Sequence, residues 1–266
     1  MIRHNTAFCF FIAIAFLLCA AATGRAQMPE ETDSITFELG PDSMAVALDP
    51  ADYAVPAPVG VDSLQKLYPD LPAAVAFAAL PDSVLPLLAQ NTRLDMLDYA
   101  KECIHNEIKN MLNGYSRLDS LSANYLHVAV TDVSNISIGC YNGKGKPGNV
   151  VALSYTITPS DAASDSQIMF FTPDMKPIAI RKLLKVPGSE DFLLVPKGSA
   201  MTLKEAAAAI IFPTVVYTLQ PDKGLLTATL TVDKAMTIEN FESLKTYLHP
   251  VITYRWTGKR FEKINR

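Results

Sequence analysis

From Tyr125 to the end of the chain, apolar residues return at every second position in short runs separated by only a few residues. Leu126/Val128/Val130, Ile136/Ile138/Cys140, Val151/Leu153/Tyr155/Ile157 and Ile168/Phe170 are the faces of successive strands. Several of the links are too short for the crossovers that parallel strands need, so the pairing is antiparallel. The pattern continues downstream. Segments 214–219 and 225–232 flank Pro221-Asp222-Lys223-Gly224, and 251–256 and 260–264 flank Thr257-Gly258, as two hairpins. Segment 192–195 reads as a short strand. Thr and Ser dominate the opposite strand faces, which predicts one solvated side for each sheet.

Helical periodicity is confined to three places. In 91–113, Leu94, Leu97, Ala100, Ile104, Ile108, Met111 and Leu112 share one face and Gly114 supplies a stop. Thr202-Leu203-Lys204-Glu205 is a capping box opening an alanine-rich helix, and 237–248 reads as a third helix. The predicted class is therefore α+β. A long N-terminal helix and shorter helices pack on predominantly antiparallel sheet, as one sheet or as two packed halves.

Charge divides the chain further. Residues 1–26 begin with Arg3, run apolar from 7 to 22 and end in the small-residue exit Gly24-Arg25-Ala26, the form of a secretory signal peptide. Leu18 directly before Cys19 does not suit a lipoprotein signal, and cleavage leaves no transmembrane span. The expectation is an exported protein, periplasmic or extracellular. Residues 27–86 hold ten acids, one Lys and nine of the eighteen prolines, while 87–266 hold twenty Lys and Arg against seventeen acids. The domain boundaries read from this are a signal peptide (1–26), an acidic proline-rich arm (27–86) and an α+β domain (87–266). Within the arm, 61–68 and 73–80 are apolar enough for short docked helical turns. Asp-Ser-aliphatic recurs at Ser34, Ser43, Ser63 and Ser83, which suits helix caps or O-glycan acceptors.

Two groups of residues resemble an uncharacterised family of secreted or periplasmic proteins from Bacteroidales-type bacteria. They are Pro81-Asp82-Ser83-Val84-Leu85-Pro86-Leu87-Leu88 with Asn91-Thr92-Arg93-Leu94-Asp95-Met96-Leu97-Asp98-Tyr99, and Ser166-Gln167-Ile168-Met169-Phe170-Phe171-Thr172-Pro173-Asp174 with Tyr254-Arg255-Trp256-Thr257-Gly258-Lys259-Arg260-Phe261. The resemblance covers roughly 80–266. It implies an envelope location and no known activity.

Catalytic constellations are scarce. Asp95, Asp98, Glu102 and His105 are spaced to form a stripe on a helix, and Asp98, Glu102 and His105 are the candidate metal ligands, although a di-metal carboxylate site needs a second Glu-x-x-His helix that the chain lacks. No Gly-x-Ser-x-Gly elbow, paired Cys/His signature or cofactor motif is present. Gly143-Lys144-Gly145-Lys146 precedes a strand and so reads as a hairpin loop rather than a phosphate cradle. Cys103 and Cys140 enclose 36 residues and stand as a disulfide or as two separate thiols. The C-terminal hairpin concentrates Arg255, Trp256, Lys259 and Arg260, cations and an aromatic suited to ligand binding. Export makes nucleic acid an unsuitable partner. The reading is a non-enzymatic module binding an envelope protein or glycan without a cofactor. The alternative is a glycan- or envelope-directed hydrolase using carboxylates such as Asp95, Asp98 and Glu102.

Overall fold

The computed structural model of the protein describes residues 57–264 except 103, 105 and 106. Ser34, Ser43, Cys103, His105 and the signal segment lie outside the described residues. Contacts divide the chain at Pro56, whereas composition divides it at Pro86, so the second half of the acidic segment is inside the compact unit.

Prolines there mark helix ends instead of preventing helices. Helices α1 (Val61–Leu67) and α2 (Pro72–Ala79) are separated by Pro69, and Pro72 sits in the first turn of α2, where its missing N–H costs nothing. Residues 73–78 of α2 are all buried. Helix α3 (Gln90–Lys101) follows.

The expected helix over 91–113 is corrected at its end: α3 stops at Lys101, and 107–109 form strand β1 (Glu107–Lys109). Ile108 satisfies a strand as well as a helix, pairing with Ser116 of β2 (Tyr115–Leu121). The buried Asn110 side chain then fixes the turn. Its Nδ2 donates to Ser116 Oγ (3.2 Å) and to the Val130 carbonyl (3.1 Å), and its Oδ1 accepts from the amides of Leu112 and Gly114. Met111 and Leu112, assigned by periodicity to a buried helix face, are exposed.

Strands β3 (Tyr125–Thr131), β4 (Ser134–Tyr141), β5 (Val150–Ile157), β6 (Asp165–Phe171) and β7 (Pro177–Ile178) continue the first sheet, a seven-stranded antiparallel meander in chain order. Helix α4 (Ile180–Leu183) follows, and the short strand expected at 192–195 is reduced to an isolated bridge between Leu193 and Leu248 after a 3-10 turn (Ser189–Phe192). Helix α5 (Leu203–Ala209) has the expected capping box, Thr202 and Glu205 each bonding the other's backbone N–H. Strands β8 (Val215–Gln220) and β9 (Leu225–Leu230), helix α6 (Ile238–Leu244), and strands β10 (Val251–Trp256) and β11 (Phe261–Lys263) complete a second, four-stranded sheet ordered β11-β10-β9-β8.

The first sheet is covered on both faces. Leu126, Val128, Val130, Ile136, Ile138, Val151 and Leu153 pack with α1–α3, while Val150, Ala152, Ile168 and Phe170 pack with the second sheet. The solvated face expected from its Ser and Thr is thus corrected: these residues dock the free edge of β8. Ser154 Oγ donates to the Tyr217 carbonyl (3.0 Å), Ser166 Oγ accepts from Tyr217 N–H (3.4 Å), and Asp165 accepts from Val215 N–H (2.9 Å). An edge strand's unpaired backbone groups must find partners when buried, and three side chains of the neighbouring sheet supply them.

A single side chain holds the helices. Arg93 is 1% exposed. Its guanidinium donates to the carbonyls of Leu80 (2.6 Å), Ala78 (3.3 Å) and Leu88 (2.6 Å) and meets Asp82 at 3.0 Å. Burial lowers its pKa and Asp82 opposes the shift. Beside it, Gln90 clamps Val59 through two bonds and donates to Ala78 O. Arg93 therefore gathers the C-terminal end of α2, the following turn and the start of α3.

Two outcomes follow for stability. Arg93→Ala strands the buried carbonyls of Leu80 and Leu88, while Ala78 O keeps its bond from Gln90; each stranded carbonyl costs about 1–3 kcal/mol, so urea denaturation is expected to show a loss of at least ~2 kcal/mol; a loss under 1 kcal/mol contradicts this role. Burial raises the Asp165 carboxyl above its ordinary value against the opposing N–H groups of Val215 and Ser166. A raised folded-state pKa contributes stability below the unfolded value that is lost as pH rises through the folded one. Asp165→Asn keeps an acceptor for Val215 and carries no charge, so its denaturation midpoint is expected to match the parent in acid and to exceed it at pH 7. A lower midpoint at pH 7 shows that the charge is favourable.

Candidate functional site

Where the β4–β5 loop, the β2–β3 turn and the β6–β7 turn approach α1 and α2, they enclose a cleft of about 330 Å³. Its walls carry four amide side chains, Gln65, Asn124, Asn142 and Asn149, together with Pro69, Pro72 and Pro173 and the Cys140 thiol. None of the lining side chains is a carboxylate or a cation. The amides are ordered by neighbours: Asn124 Nδ2 donates to Asp222 (3.0 Å), and Asn149 Oδ1 accepts from Gly143 N–H (3.0 Å). Gln65 is exposed on α1. Tyr68 and Tyr141 contribute to the wall but are almost wholly buried, so neither offers a free ring face.

The loop 142–149 joins β4 and β5 in the register Tyr141↔Val150, as expected for a hairpin connection. It folds back on itself so closely that a Cβ on Gly143 would lie 1.6 Å from the Gly148 carbonyl oxygen. It also locks onto the C-terminal hairpin. Lys144 N–H donates to Gly258 O (2.7 Å), Trp256 Nε1–H donates to Asn142 O (2.7 Å), and Gly258, at φ 90°, leaves room for the Lys144 side chain. Two basic segments 114 residues apart in sequence thereby meet beside the cleft, bringing the loop of Lys144 and Lys146 to the turn that carries Lys259 and Arg260.

Trp256 is half-buried, and its ring packs on Phe261 (4.9 Å between centroids) and Tyr141 (6.1 Å). It anchors the cationic turn to the first sheet. Arg255 and Lys259 are exposed, and Arg260 lies 3.8 Å from Glu262. Tyr254 and Phe261 belong to the core.

Asp95 and Asp98 lie on α3 and Glu102 at its C-terminal end. Asp98 accepts from Tyr68 OH (3.3 Å) and meets Lys101 (3.5 Å), Glu102 caps the helix end, and His105 is outside the described residues. Burial, with Asp98 adding to it, pushes the Tyr68 hydroxyl up to about 12. Among the described residues no group of three or more His, Cys, Asp or Glu side chains is placed to hold a metal ion. His127 meets Asp119 at 3.2 Å on the outer face of β2–β3, away from the cleft. Ser63 and Ser83 are both exposed, the first in the opening turn of α1.

Sequence reading missed the cleft because six of its fifteen lining residues come from 65–76, which composition groups with the arm. The available signal was the alanine-rich run 73–79 after Pro72, since small residues permit a helix to lie close on a sheet.

Comparisons with known proteins agree with the fold. The sequence model of the family described as "Protein of unknown function (DUF3256)" matches residues 72–261. A solved structure of a domain of an uncharacterized protein from Porphyromonas gingivalis W83 superposes with a TM-score of 0.62 at 20% identity, covering 74% of this chain and 99% of that one. At that identity the likeness shows the fold alone. No curated protein matches the chain. The resemblance to a Bacteroidales family of unknown activity is thereby met in part.

Burial pushes the Cys140 thiol up to about 12. In reduced protein, alkylation of Cys140 is expected to rise steadily with pH to 10 and beyond; a rate that levels off below pH 9 contradicts a buried thiol.

Proposed function

The chain belongs to the DUF3256 family, which carries no assigned activity, and we propose that it is an exported, non-enzymatic binding module of the bacterial cell envelope. Its ligand is a segment of envelope polymer bearing hydroxyl and amide groups, a glycan strand with attached peptide. The observation that carries the reading is the cleft whose wall includes four amides and no charge. Asn and Gln side chains offer a donor and an acceptor together, matching amide and hydroxyl groups. The cationic loop and turn beside the cleft suit carboxylates on the same polymer. Recognition without chemistry is favoured because the acids considered for hydrolysis, Asp95, Asp98 and Glu102, do not line this cleft.

Export rests on the N-terminal segment 1–26. No helix among the described residues is long and apolar enough to cross a membrane. Ser63 and Ser83 remain candidate glycan acceptors, being exposed.

Calorimetric titration with soluble peptidoglycan fragments tests the reading. Binding is expected, and Gln65→Ala, which removes an exposed cleft amide, is expected to weaken it about three- to tenfold. Absence of binding, or affinity unchanged in Gln65→Ala, overturns the cleft assignment. Release of new reducing ends or free peptides during incubation overturns the non-enzymatic reading.

A further inference from the structure

The dipeptide Asn-Gly occurs twice in the chain, at Asn113-Gly114 and Asn142-Gly143. Such a pair is prone to self-modification, because glycine has no side chain to shield its amide from the asparagine before it. Once the glycine nitrogen has lost its proton it attacks the asparagine Cγ. The Cγ–Nδ2 bond breaks and ammonia leaves with a proton. Water then opens the five-membered imide at either carbonyl, giving aspartate or isoaspartate. Attack needs the nitrogen within about 3–3.5 Å of Cγ.

Both asparagines are accessible to this reaction. Asn113 and Asn142 are exposed, and neither side-chain amide bonds another described residue. In both pairs, however, the glycine N–H is taken by the side-chain oxygen of another asparagine. Gly143 N–H donates to Asn149 Oδ1 (3.0 Å), and Gly114 N–H donates to Asn110 Oδ1 (3.2 Å). Nor can the first loop replace its glycine, since the Gly148 carbonyl oxygen occupies the space a Gly143 Cβ would need.

From these bonds we propose that Asn142 is a latent deamidation site and that Asn149 keeps it closed. The reaction begins by removing the proton that Asn149 Oδ1 accepts. That hydrogen bond therefore stabilises the intact amide and is lost on the way to the imide, so its worth is added to the barrier. Asn149 is a positioning residue here, acting on Asn142 through the Gly143 amide. The position matters because Asn142 lines the cleft, whose wall carries no charge. Deamidation puts a carboxylate into that wall. Isoaspartate also lengthens the backbone of a loop whose Lys144 N–H is bonded to Gly258 O (2.7 Å). Asn113, in the β1–β2 turn, has its own guard in Asn110 and serves as an internal control.

The experiment follows deamidation by peptide mass spectrometry over several weeks in mildly alkaline buffer, with the parent in denaturant as the unguarded reference. Lys144 lies between Asn142 and Asn149, so tryptic peptides separate the modified residue from the substituted one. In the folded parent Asn142 is expected to deamidate more slowly than in the denatured chain. Asn149→Ala removes the acceptor and is expected to speed Asn142 about two- to tenfold, one hydrogen bond expressed as a rate, with Asn113 unchanged. Asn149→Asp keeps an acceptor oxygen and is expected to be as slow as the parent or slower. The proposal is overturned by an Asn142 that deamidates as fast folded as denatured, or by an Asn149→Ala rate equal to the parent's. It is equally overturned by Asn149→Asp matching Asn149→Ala, or by an equal rise at Asn142 and Asn113, which marks general loosening of the fold.

Discussion

The arrangement of this protein depends on a buried cation surrounded by backbone carbonyls. Arg93 is nearly inaccessible, and its guanidinium is held by Leu80, Ala78 and Leu88 oxygens with Asp82 as the counter-charge at the exposed side. Removing a guanidinium from water is unfavourable, and only several short bonds offset it. Those bonds are made to carbonyls that a helix end and a turn would otherwise leave without partners. The consequence is that α2, the turn after it and α3 are fixed to one another, and α2 can lie flat on β3 and β4. The wall of the cleft formed by Tyr68, Pro72, Val75 and Ala76 follows from that placement.

A second constraint operates between the sheets. Strand β8 brings an open edge to the face of β4–β6, and Ser154, Ser166 and Asp165 meet its backbone groups. The Ser and Thr side chains of these strands, Ser154 and Ser166 among them, looked like a solvated surface in sequence. Their role is legible only once a second sheet's edge lies across them. The same contact sets where the β8–β9 turn falls, and Asp222 in that turn holds Asn124 of the cleft.

Much of the fold was legible because local signals were unambiguous. Alternation over 125–171 gave the central strands, Thr202 and Glu205 gave the start of α5, and Pro221-Asp222-Lys223-Gly224 gave the β8–β9 turn. Where local signals were compatible with two structures, tertiary contacts decided. Ile104, Ile108, Met111 and Leu112 fit a helical face, yet Ile108 is paired in a strand and the other three are exposed, because Asn110 makes better use of its amide in a buried turn. Proline content suggested an arm over 27–86, yet from Val61 onward the prolines sit at helix boundaries and the segment is core. The candidate site suffered most from this, since its wall joins α1–α2 to a loop and a hairpin that sequence could describe only separately.

The central claim is that residues 61–88 are a structural layer of the domain and no appendage. Hydrogen exchange followed by mass spectrometry tests it directly. If Arg93 and the apolar face of α2 fix this layer, the amides of 74–80 exchange with protection comparable to those of β4 and β5 and lose it together with them in rising denaturant. Exchange of 74–80 within seconds under native conditions, while β4 and β5 remain protected, contradicts the account.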